Sequence, residues 1–136
     1  MAVRSASAEW QGDLKGGNGT FSGESGEIEG AYSFGSRFAE EGGTNPEELI
    51  GAAHASCFSM QFSAMLAAGG NTPESIRTEA KVQVLKEGEG FAIKKIDLTT
   101  TGRVPGSTTP PSRRPLRLPR RAARCRWRSP PSPRST

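Results

Sequence analysis

The sequence predicts an α+β domain, an antiparallel sheet with one long central helix. Three observations predict it: glycine-punctuated alternation of polar and apolar residues over the first forty positions, a capped helical stretch starting at Asn45, and a return to alternation after Pro73.

Around Trp10 the chain reads as a strand, followed by a loop at Gly12-Asp13 and the Gly16 to Gly19 cluster. That cluster matches neither glycine-rich phosphate motif, so a plain turn is expected. Of the strands expected in the first forty residues, the alternation from Ala31 to Ala39 marks the clearest. Tyr32, Phe34 and Phe38 would share a core-facing side with Ser36 between the phenylalanines, and Arg37 would fall on the opposite side. A helix start comes next. Asn45 suits the cap, Pro46 the first helical position, and Glu47 and Glu48 place negative charge in the first turn, where the helix dipole favours it. The helix should run to about Ala68, where Gly69, Gly70 and Asn71 stop it. Along it Ile50, Ala53, Cys57, Met60 and Ala64 form one stripe, which predicts that Cys57 faces the core. Gly51, Ala52, Ala53, Ala55, Ser56 and Ser59 are small enough to let another backbone approach closely. After Pro73, Ala80, Val82 and Val84 alternate. The Gly88-Glu89-Gly90 turn and a strand from Phe91 through Leu98 toward Val104 complete a hairpin.

At 136 residues the chain has room for one domain. Its hydrophobic share of 33% is low, so part of the chain should contribute nothing to a core. The charges separate that part. Residues 1–106 hold nine basic and all fourteen acidic side chains, net −5, whereas residues 107–136 hold nine arginines and no acid. Eight of the ten prolines lie from Pro105 onward, so residues 107–136 read as an Arg/Pro-rich tail that cannot offset its ordering entropy and should be disordered. Arginine mixed with proline and without lysine is also what a GC-rich gene yields when read out of frame. No run approaches the roughly 20 apolar residues of a membrane span, and MAVRSASAEW lacks an apolar signal core. A cytoplasmic protein without a membrane partner is the expectation. Two cysteines, Cys57 and Cys125, are too few for a disulfide-stapled secreted domain.

A lone cysteine on an apolar helix face is usually inert core. Cys57 has neighbours that point elsewhere. His54 sits one turn before it, where an imidazolium would favour the thiolate, although a helix histidine bonded to water or backbone is the more ordinary case. Arg37 is a second possible thiolate partner, or else an exposed strand arginine. An arginine gripped by a glutamate would fix positive charge beside a thiol. One histidine and two distant cysteines fall short of a metal set, and no nucleotide motif is present, so no cofactor is expected.

The run GTNPEELIGAAHASCFSM, from Gly43 to Met60, is similar over its whole length to the helix that carries the reactive cysteine in the OsmC branch of the OsmC/Ohr hydroperoxide reductases. The segments EWQGDLKGGNGT, Ser36-Arg37-Phe38, Thr72 to Ile76, Gly90 to Ile93 and Gly102 to Gly106 also resemble that family, so the likeness spans about Ala8 to Gly106. The resemblance implies an OsmC-like domain over residues 1–106 whose usual second helix and final strand are missing. It also implies a thiol-dependent peroxidase of oxidative and osmotic stress defence that reduces organic hydroperoxides, hydrogen peroxide or both. Carried over by position, Cys57 matches the peroxide-attacking cysteine, Arg37 the thiolate-stabilising arginine, and Glu47 its glutamate partner. The family's resolving cysteine lies in a Gly-Cys-Pro pattern; Cys125, within Ala123-Arg124-Cys125-Arg126-Trp127, lacks it. The implied partners are a hydroperoxide, a dithiol reductant of lipoyl or small-thiol type, and a second copy in an intertwined homodimer. Two other classes stand beside this one. A catalytically impaired OsmC-like fragment would keep the fold without turnover. Nucleic-acid binding through the tail would use its nine arginines on phosphate, but apart from Trp127 there is no aromatic interleaving, so no specific nucleic acid is expected.

Overall fold

The computed structural model describes residues 2–106. The expectations of a disordered tail over residues 107–136 and of an absent second helix and final strand, and the position of Cys125, fall outside the described residues. Five strands and two helices follow in order: β1 (Ala6–Gln11), β2 (Asn18–Gly23), β3 (Glu29–Ser33), α1 (Phe34–Phe38), α2 (Pro46–Ala68), β4 (Ser75–Glu87) and β5 (Gly90–Arg103). Strands β1, β2 and β3 form an antiparallel meander, and β4 pairs with β5 in a long antiparallel hairpin. The α+β class read from the sequence holds.

In the meander, cross-strand partners Trp10, Gly19 and Tyr32 share a face. The rings of Trp10 and Tyr32 lie 5.4 Å apart and close over Gly19, where a Cβ would stand 2.6 Å from the tyrosine ring. Only glycine fits there.

The strand expected from Ala31 to Ala39 stops at Ser33. Ser33 Oγ accepts from Ser36 N at 3.1 Å and Ser36 Oγ accepts from Ser33 N at 2.9 Å, a reciprocal box that starts one helical turn instead. Phe34 and Phe38, four apart, suit a strand face and a helix face equally. In the turn their rings meet at 5.1 Å.

Helix α2 begins and ends where the caps predict. Asn45 Oδ1 accepts from Glu48 N at 2.9 Å, and Asn45 Nδ2 donates to the Ser36 carbonyl at 3.1 Å. It lies along β4, whose alternate residues Ile76, Thr78, Ala80, Val82 and Val84 are partly covered. Gly51 is buried at this contact, since a Cβ on it would stand 3.3 Å from Val82 Cγ2 and 3.6 Å from the Ala80 carbonyl. By length and composition alone α2 is apolar enough to cross a membrane, a test that the core helix of a soluble protein also passes. A search for unbroken apolar runs misses it, because its alanine, methionine, phenylalanine and leucine are interrupted by serine, histidine and glutamine. Among the described residues no apolar side chain is fully buried; the buried polar ones are Ser36 and Glu47.

Asn45 both caps α2 and ties it to α1. Replacing it by alanine should therefore cost about 0.5 to 2 kcal/mol, the range for a lost cap, read as a lower midpoint in urea denaturation. An unchanged midpoint would show that neither bond contributes.

Candidate active site

The two bonds of Asn45 set the end of α1 against the start of α2, and this brings Arg37 onto Glu47. Arg37 Nε donates to both carboxylate oxygens at 3.0 and 3.1 Å, and Nη2 donates to Oε1 at 2.7 Å. The Glu47 side chain is 9% exposed and that of Arg37 33%. This is a charge-assisted fork in a largely dry position, with the carboxylate also in the first turn of a helix. On its other side Arg37 Cζ lies 4.8 Å from the centroid of Phe38, which stacks on Phe91 at 4.2 Å. Edge and face of the guanidinium are both held. Its Nη1 hydrogens have no partner among the described residues, so a fixed cation presents donors that are still free to bind.

Cys57 is placed differently from the sequence expectation. It is a free thiol and it is exposed, as are Ile50, Ala53, Met60 and Ala64 of its stripe. Small and apolar residues surround α2 on all sides, so periodicity alone does not choose the buried face. The choice falls to the closest approach: Gly51, Ala55 and Ser59, spaced by four, rest against β4 and turn the cysteine stripe outward. Glu47 and Cys57 are ten residues apart on one helix, which separates them by about 15 Å along its axis. The chain thus brings Arg37 and Glu47 together and does not bring Cys57 to them. His54, one turn before Cys57, is half-buried.

Sequence reasoning missed two features. The Ser33–Ser36 box that aims Arg37 carries serine where glutamate or glutamine usually stands, so its pattern is weak. The other is a row of hydroxyls under the cysteine helix: Ser59 Oγ donates to Thr78 Oγ1 at 2.7 Å, and Thr78 Oγ1 lies 2.8 Å from Thr100 Oγ1. These residues are 19 and 22 apart in sequence, and no local motif signals them. Among the described residues no group of three or more histidine, cysteine, aspartate or glutamate side chains is assembled that could hold a metal ion.

The family described as OsmC-like protein matches residues 39–115. Peroxiredoxin OsmC of Escherichia coli (strain K12) and that of Shigella flexneri are each 56% identical to this chain over 100 residues, covering 73% of it and 70% of theirs. Among solved structures, an organic hydroperoxide resistance protein from Elizabethkingia anophelis aligns with a TM-score of 0.54 at 23% identity, over 79% of this chain and 74% of that one. OhrB of Bacillus subtilis aligns with a TM-score of 0.52 at 21% identity, over 76% and 73%. At these identities the two structures bear on the fold alone.

The Arg37–Glu47 fork leads to a double substitution. Arg37→Met strands a nearly buried carboxylate and should cost about 3 kcal/mol in chemical denaturation, whereas Arg37→Met with Glu47→Leu should recover most of that loss. A cost of Arg37→Met below about 0.5 kcal/mol would mean that the pair behaves as a surface ion pair.

Proposed function

This chain belongs to the OsmC-like protein family, and from that premise we propose that it is a thiol-dependent peroxidase of oxidative and osmotic stress defence, with Cys57 as the attacking group. The observation that carries the reading is the fixed Arg37–Glu47 pair at the start of the same helix that exposes a free Cys57. The Cys57 thiolate attacks one oxygen of a hydroperoxide. A sulfur–oxygen bond forms, the O–O bond breaks, and its electron pair leaves with the alkoxide, which takes a proton to become the alcohol. The sulfenic acid left on Cys57 is returned to the thiol by a dithiol reductant of lipoyl or small-thiol type, directly or after condensing with Cys125. Organic hydroperoxides and hydrogen peroxide both fit this chemistry, and no metal or organic cofactor enters it. We place the reaction in the cytoplasm.

The role of Arg37 is to hold positive charge, through its free Nη1 donors, where the thiolate and the developing alkoxide need it. The separation of about 15 Å along α2 argues that Arg37 meets the Cys57 of a second copy. A homodimer also suits the exposed cysteine face, where Met60 is 72% and Met65 63% exposed.

Two outcomes follow. Mild peroxide should place a sulfenic-acid label on Cys57, and Cys57→Ser should abolish dithiol-dependent peroxide consumption; a label elsewhere, or an active serine variant, refutes the assignment. Mixing Arg37→Ala with Cys57→Ser subunits, each inactive alone, should restore activity up to about half per mixed dimer, because one of two symmetric sites is then complete. No recovery in verified mixed dimers would place both groups of a site in one chain.

A further inference from the structure

The hydroxyl row beneath α2 runs in one direction. Thr100 Oγ1 donates to the Arg77 carbonyl at 3.2 Å, and a threonine hydroxyl has a single hydrogen to give. Thr78 must therefore donate to Thr100, and Ser59 to Thr78, so three aligned hydroxyls tie the cysteine helix to the backbone of the hairpin. Chains of this kind polarise one another and are stronger than isolated bonds.

Their place in the interface gives them more than a stabilising role. From Gly51 to Ser59 the helix advances about 12 Å, and from Val82 back to Thr78 the strand covers about 13 Å, so the two rows keep step between their contacts. Glycine and alanine facing alanine and valine form shallow ridges, which resist sliding and rotation poorly. The bond from Ser59 to Thr78 is directional and lies two residues from Cys57. A rotation of α2 by about 20° would move an atom about 4 Å from its axis by roughly 1.4 Å. Displacement of that size at a reacting atom costs up to about a hundredfold in rate.

We propose that Ser59, Thr78 and Thr100 are positioning residues for Cys57, setting the rotation and register of its helix; this rests on the reading of Cys57 as the peroxide-attacking thiol. Two rates separate alignment from general damage. Oxidation of Cys57 by tert-butyl hydroperoxide needs the thiol aligned with its partners, while alkylation by iodoacetamide, run about two pH units above the ordinary thiol value of about 8.5 so that the thiol is ionised with or without Arg37, needs only access. Thr78→Val, which keeps shape and removes the hydroxyl, should slow oxidation roughly tenfold and alkylation by no more than about twofold. Thr78→Ser should return oxidation to the wild-type rate. Ser59→Ala should match Thr78→Val, and the double variant should lose no more, since both break the same link; Ser59→Ala carries the test alone if Thr78→Val does not fold. Unchanged oxidation in Thr78→Val and Ser59→Ala, equal falls in both rates, or failure of Thr78→Ser to restore oxidation would overturn the proposal. A wild-type Cys57 inert to the hydroperoxide would instead overturn the reading beneath it.

Discussion

The architecture depends on the bidentate contact between Arg37 and Glu47. It joins the turn that ends the three-stranded meander to the first turn of the long helix, and it does so where the carboxylate is almost dry. Ions in that environment demand partners. The serine box that turns Arg37 inward, the asparagine that draws α1 toward α2, and the Phe38–Phe91 stack behind the guanidinium all serve the same geometry. Among the described residues the buried side chains are polar, Ser36 and Glu47, and the position of Glu47 is fixed by its ion pair.

Helix α2 divides its labour by face. Its row of glycine, alanine and serine brings the backbone close to β4, and its apolar row with Cys57 looks outward. Small residues build a close contact at the expense of buried area, so the hairpin face contributes proximity and direction more than hydrophobic free energy. The outward face keeps the area in reserve. Cys57 thus sits on the exposed face of the helix, above a contact that is already set.

Caps and turns were the most legible part of the sequence. Asn45, Pro46 and the Gly69-Gly70 stop mark α2 to the residue, because cap chemistry acts within one turn of the chain. The β4–β5 hairpin was equally plain from its alternation and its glycine turn. Two readings failed for one reason, that a period does not specify its environment. Phe34 and Phe38 fit a strand face and a helical turn, and the Ser33–Ser36 box decided between them. The stripe through Cys57 looked like core because α2 is apolar all round, and the close approach of Gly51 to Val82 decided otherwise. The roles of Arg37 and Glu47 entered through family likeness, and their pairing is a tertiary event that spacing alone could not have supplied.

The order of pairing along the chain carries a kinetic meaning. Each strand of the meander pairs with the one before it, α2 lies on the strand that follows it, and β5 folds straight back on β4. Among the described residues most contacts therefore join elements that are consecutive in the chain, which keeps the loops closed on folding short. The stack of Phe38 on Phe91 is an exception, bridging more than fifty residues. During synthesis the meander can close while the helix is still emerging, and the aromatic stack then docks the late hairpin onto a half that is already in place.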